Sequence, residues 1–162
     1  MGVILDYHCE TCLYGFGAYM GIGMGYPLMY AEAVEDGKAG KLGKVMKDFF
    51  EKYPNGAINP KYVLAQCEDC GNHVCVNDYT MYISKPDHVA AENKGRWSVE
   101  LPFEDIDYVS DFENYNVYKK YPHKCKKCGG NMRILTWKEI ESGLYCPHCH
   151  LKLKGGEVGM WD

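Results

Sequence analysis

Cys125-Lys126-Lys127-Cys128-Gly129-Gly130 and, after a spacer of 17 residues, Cys146-Pro147-His148-Cys149-His150 form the stretch that decides how this chain is held together. A Cys-x-x-Cys turn aims two sulfurs at one point, and two such turns complete a four-thiolate shell around a tetrahedral metal ion. Gly129, directly after the second thiol, suits the positive φ that such a turn needs there. The same spacing recurs upstream at Cys9-Glu10-Thr11-Cys12 and at Cys67-Glu68-Asp69-Cys70-Gly71. Eight of the nine cysteines therefore supply ligands for two metal ions, with no position left open for substrate.

Local pairing joins Cys125 and Cys128 to Cys146 and Cys149, which leaves Cys9 and Cys12 for Cys67 and Cys70 across 54 residues. A long loop costs little extra to close, because the entropy grows only with the logarithm of its length. Other pairings of the four turns remain open. A competing local set, Cys67, Cys70, His73 and Cys75, would strand Cys9 and Cys12, and His73 and Cys75 read instead as alternating positions of a strand. Four disulfides are disfavoured by the unpaired Cys75 and by a start, Met1-Gly2-Val3-Ile4-Leu5-Asp6, that lacks the marks of a signal peptide. With no apolar run long enough to span a membrane, the expected compartment is the cytoplasm, where thiols stay reduced for metal.

The segment from Tyr121 to about Gly155 resembles a zinc ribbon of the rubredoxin-like kind. That resemblance implies two metal knuckles on β-hairpins packed around one ion. His150, where such ribbons usually repeat the glycine, departs from the pattern. Residues 1–86 read as a second ribbon, interrupted by a helical insertion at about 27–53. The expected organisation is α+β: ribbon 1–86, an acidic, aromatic-rich connector 87–120, and a C-terminal ribbon 121–162.

Along the chain, Val3-Ile4-Leu5 reads as a strand, and Gly15, Gly17, Gly21, Gly23 and Gly25 as a flexible turn against the metal site. The glycines lack the dinucleotide fingerprint, and no P-loop lysine follows them. Pro27 opens a helix that Gly37 is expected to end. Leu42, Val45, Met46, Phe49 and Phe50 then recur at helical spacing up to Tyr53-Pro54. Tyr62–Gln66, Val74–Val76 and Tyr79–Ile83 read as strands. From Trp97 to Glu113 the connector carries six acids and no base, with enough apolar side chains to be an ordered bridge.

Charge is divided unevenly. Residues 1–118 hold 9 basic and 18 acidic side chains; residues 119–155 hold 9 basic against Glu139 and Glu141. The surplus of +7 in that segment falls to about +5 once four thiolates on one dication are counted.

No HExxH, GxSxG or P-loop is present, so the chain is expected not to be an enzyme. Cys146-Pro147-His148-Cys149-His150 also fits the haem c attachment pattern, but that would orphan Cys125 and Cys128 and require export. His8, His123 and His148 lie beside or within the turns, where the sulfurs already fill the shells.

Three functions follow. The first is a non-catalytic, two-zinc module that binds a protein partner. The second is a nucleic-acid-binding ribbon using Lys124, Lys126, Lys127, Lys152 and Lys154, with Tyr121, Trp137 and Tyr145 as stacking groups. The third is a rubredoxin-like electron carrier with iron in the same shell.

Overall fold

Two long antiparallel strands carry the first cysteine turn at their joined end. In β1 (Gly2–His8), Val3, Leu5 and Tyr7 alternate toward the core. Gly15, Gly17 and Gly21 of the glycine run are not a flexible turn but part of the second strand, β2 (Gly15–Gly21), which pairs with β1 residue for residue from Gly2↔Gly21 to His8↔Gly15, while Gly23 and Gly25 lie beyond it. Period two explains this: Phe16, Ala18 and Met20 share the core face, while Gly15, Gly17 and Gly21 share the other. At Gly2 a Cβ would overlap the Trp161 indole, so glycine there lets that ring lie on the sheet. The computed structural model describes residues 2–23, 25–87 and 115–162. The acidic connector from Trp97 to Glu113 lies outside the described residues, as does His88.

The described chain divides into two units. The first gathers Met1–Gly23, Lys61–Asn77 and Pro122–Asp162. Besides β1 and β2 it contains β4 (Tyr62–Cys67), β5 (His73–Asn77), β8 (Met132–Ile134), α3 (Trp137–Ser142) and β9 (Lys154–Trp161). The sheet runs β5-β4-β2-β1-β9, and β8 pairs with β4. Its core joins Leu5, Tyr7, Ala18, Met20, Leu64, Leu135, Ile140, Leu144 and Leu153. The C-terminal segment therefore does not stand apart as a 121–162 domain. Its strand β9 extends the sheet beside β1, and β8 extends it beside β4, because neither short hairpin has apolar area enough for a core of its own.

Helix α3 begins at a capping box: Thr136 accepts from the Glu139 amide while the Glu139 carboxylate accepts from the Thr136 amide. Ile140 on its inner face enters the core.

The second unit holds Met24–Pro60 and Asp78–Tyr121. It has helices α1 (Tyr26–Lys38) and α2 (Lys44–Lys52), and a three-stranded sheet of β3 (Ala57–Ile58), β6 (Met81–Ser84) and β7 (Tyr115–Lys119) in the order β3-β6-β7. Met46, Phe49 and Phe50 are buried on α2, as the helical spacing implies. Gly37 lies within α1 rather than ending it; a Cβ there would come within 2.6 Å of Phe50, so the glycine permits close packing of the two helices. The left-handed residue that follows α1 is Gly40, at φ +81°. Strand β6, expected to leave the second cysteine turn, belongs to this unit's sheet.

Candidate metal centres

Each Cys-x-x-Cys lies in a reversal of the chain. The first joins β1 to β2 and the second joins β4 to β5. The third and fourth sit within the bridges Lys124↔Asn131 and Tyr145↔Lys152. One backbone pattern repeats in all four: the amide of the leading cysteine donates five residues ahead, to Tyr14, Asn72, Gly130 and Leu151. The residue after the trailing cysteine has positive φ every time: Leu13 (60°), Gly71 (70°), Gly129 (79°) and His150 (60°). His150 thus adopts the conformation that glycine usually supplies, as does Leu13, and an L-residue there costs about 1–2 kcal/mol.

The four turns assemble as two sets of four sulfurs, each set mutually within 4.8 Å: Cys9, Cys12, Cys146 and Cys149 in site A, and Cys67, Cys70, Cys125 and Cys128 in site B. This corrects the expected pairing. The turns pair first with fourth and second with third, so site B is nested inside site A. The physical reason is the sheet. β9 leaves the fourth turn alongside β1, which enters the first; β8 leaves the third alongside β4, which enters the second. Strand pairing therefore brings the sulfurs together in this combination whatever the loop lengths.

In site A, Cys9 Sγ lies 3.3 Å from Cys149 Sγ, Cys12 Sγ 3.3 Å from Cys146 Sγ, and Cys149 Sγ 3.9 Å from Cys12 Sγ. In site B, Cys67 and Cys128 are 3.4 Å apart, and Cys70 and Cys125 3.8 Å. A tetrahedron with metal–sulfur bonds of about 2.3 Å has edges of about 3.8 Å, so both clusters fit a zinc- or iron-sized ion. Four sulfurs this close cannot all ionise without a cation. Amides of Thr11 and Cys12 draw the Cys9 thiol down to about 6, and the Cys70 amide draws Cys67 to about 7. At Cys12 the Tyr14 amide pulls the same way, but the Cys146 sulfur, burial and the Cys9 and Cys149 sulfurs together outweigh it, and the thiol is pushed up to about 12. Cys128 is likewise pushed up to about 12: the Gly130 amide lowers it, and the Cys67, Cys70 and Cys125 sulfurs together with burial raise it more. A dication removes this conflict, which is what the donor set is built to accept.

Between the sites lies a polar core that the spacing does not disclose. His73, 3% exposed, stacks on Phe16 with 4.9 Å between centroids. Its backbone amide donates to the Tyr14 hydroxyl at 3.0 Å, and its ring nitrogens lie 3.2 Å from the Tyr14 hydroxyl and from Gln66 Nε2. Burial, with the Arg133 charge, lowers its pKa to about 4, so it sits neutral in the fold. His73 and Cys75 do alternate on β5 and are not ligands of either cluster. His148 projects from the fourth turn, with Nδ1 4.0 Å from Cys12 Sγ and Nε2 3.2 Å from Lys127 Nζ of the third.

The basic side chains do not remain segregated. Lys124, Lys126 and Lys127 share site B with Glu68 and Asp69, whereas Lys152 and Lys154 flank site A. Lys124 bonds Asn131, and Lys152 bonds the Ser142 carbonyl. The first unit as a whole carries eight bases (Lys61, Lys124, Lys126, Lys127, Arg133, Lys138, Lys152, Lys154) against eight acids (Asp6, Glu10, Glu68, Asp69, Glu139, Glu141, Glu157, Asp162). Trp137 and Tyr145 are exposed, while the Tyr121 hydroxyl donates to the Leu42 carbonyl within the second unit. Among the described residues no helix is long and apolar enough to cross a membrane. No family model matches the chain, and neither a curated protein nor a solved structure matches it.

Proposed function

We propose that the chain is a non-catalytic zinc protein whose two four-cysteine sites are ribbon-type staples, and that it acts as a protein-interaction module. The observation that carries this reading is the four-sulfur make-up of both shells, with no fifth donor among the described residues. Zinc is the metal proposed because nothing about the shells calls for redox chemistry; iron fits the same sulfurs. Metal analysis with an absorption spectrum separates them. Close to two colourless zinc ions per chain supports the proposal, and the charge-transfer bands of a ferric tetrathiolate would favour an electron carrier.

Support for a protein partner comes from the turns that share site A. Leu13 is 94% exposed and held in a strained conformation, and Tyr145 and Leu151 beside the fourth turn are also exposed. Large apolar side chains raised on rigid loops suit a protein surface better than a phosphate backbone. The equal count of bases and acids in the first unit, to which metal-bound thiolates would add further negative charge, weakens the nucleic-acid alternative, which would rest on Lys126, Lys127, Lys152 and Lys154. A photo-crosslinking side chain placed at position 13 or 151 in the host cell should yield discrete protein adducts. Salt-dependent oligonucleotide binding, lost on changing those four lysines to Glu, would instead support the alternative.

A further inference from the structure

The two shells share their chemistry but not their surroundings. In site A, Cys9 and Cys146 belong to the hydrophobic core, and Cys12 and Cys149 pack against it. None of the site B cysteines enters that core, and Cys128 is exposed. It sits on a turn with Lys126 and Lys127, both exposed, and a side chain at the following Gly129 would meet nothing within 4 Å. Cys128 of site B thus faces water on a turn that carries two lysines, whereas every cysteine of site A is backed by packed side chains.

We propose that site B exchanges its metal with an incoming anionic thiol through Cys128, while site A is a permanent staple. This inference rests on the zinc reading above. In the exchange the sulfur of the incoming thiol bonds to the metal as the Cys128 metal–sulfur bond breaks. The thiol's proton passes to the Cys128 sulfur, and no electrons are transferred. Repetition at Cys70, then at the buried Cys67 and Cys125, hands the ion over. The Lys126 ammonium attracts the anionic donor, so the site discriminates by charge among thiols of similar reactivity.

The test uses the intact, metal-loaded protein. Its metal content is measured first; release by glutathione is then followed with 4-(2-pyridylazo)resorcinol, and alkylation by iodoacetamide is mapped by mass spectrometry. The expected result is two phases of one equivalent each, the first faster by at least about tenfold, with Cys128 the first of the eight clustered cysteines to be alkylated, the non-ligand Cys75 aside, and the site A cysteines protected. Lys126→Glu should slow release by glutathione but not by neutral 2-mercaptoethanol. Two equivalents leaving in one phase, or early alkylation of Cys12 or Cys149, overturns the exchange while leaving the zinc reading intact. A starting protein with no bound metal refutes that reading and this proposal together.

Discussion

Leu13 and His150 occupy the left-handed position that Gly71 and Gly129 fill in the other two turns. Both side chains are exposed, so replacing either with glycine removes strain without opening a cavity. Leu13→Gly and His150→Gly should each raise stability by up to about 1 kcal/mol, the relief of a left-handed L-residue less the chain entropy of glycine, as read by urea unfolding of the metal-loaded protein. A loss of stability would show that these side chains make contacts worth more than the strain. His73 leads to a pH prediction. Its pKa is lowered to about 4 in the fold by burial and by Arg133, against about 6.5 unfolded, so the unfolded chain takes up the proton first. Its contribution is therefore complete above pH 6.5 and declines as pH falls toward 4, by an amount of order 3 kcal/mol. His73→Gln should show a shallower fall in stability between pH 7 and 5 than the parent protein. Equal slopes would mean that His73 is not the group being charged. The eight cysteines that gather into the two clusters were legible in the sequence because Cys-x-x-Cys is a local signal. Tyr14 and His73 were not, since their pairing joins residues 59 positions apart.

At the scale of elements, period and spacing read α2 well, because a single apolar stripe of Met46, Phe49 and Phe50 meets a single core. They misread β2, where glycines that look like loop residues are one face of a strand. They also misread Gly37, where glycine reflects a close helix–helix approach rather than a helix end. Gly37→Ala should accordingly destabilise the second unit by about 1–3 kcal/mol, because its Cβ would lie 2.6 Å from Phe50 and 2.9 Å from Met46. A neutral or stabilising effect in thermal unfolding would mean that α1 and α2 can separate at no cost. Helix α3 was within reach of the sequence, since Thr136-Trp137-Lys138-Glu139 is a capping-box pattern. Thr136→Ala should cost about 1 kcal/mol and weaken amide protection over Trp137–Ser142.

At the scale of the molecule, the nested arrangement follows from how little sequence distance matters. Cys12 and Cys146 are 134 positions apart, against 17 residues between the third and fourth turns, and the entropic difference is only about 2 kcal/mol. Pairing β1 with β9 and burying Leu5, Tyr7 and Leu153 in one core outweighs that difference. Local pairing was the natural sequence inference, and it failed because the strands that decide the matter are long-range partners. The strands that carry the two sites share one core, with Leu64 of β4 and Leu135 just after β8 packed among residues of β1 and β2. Cys125→Ser should therefore disturb amide signals of residues 61–77 together with those of 122–135, rather than the C-terminal segment alone. The pairing itself is tested most directly by metal content in double mutants. Cys9→Ser with Cys149→Ser removes two ligands of one site and should leave about one zinc per chain, whereas Cys125→Ser with Cys149→Ser strikes both sites and should leave none. One retained zinc in the second double mutant and none in the first would contradict the nested arrangement and restore the sequential one.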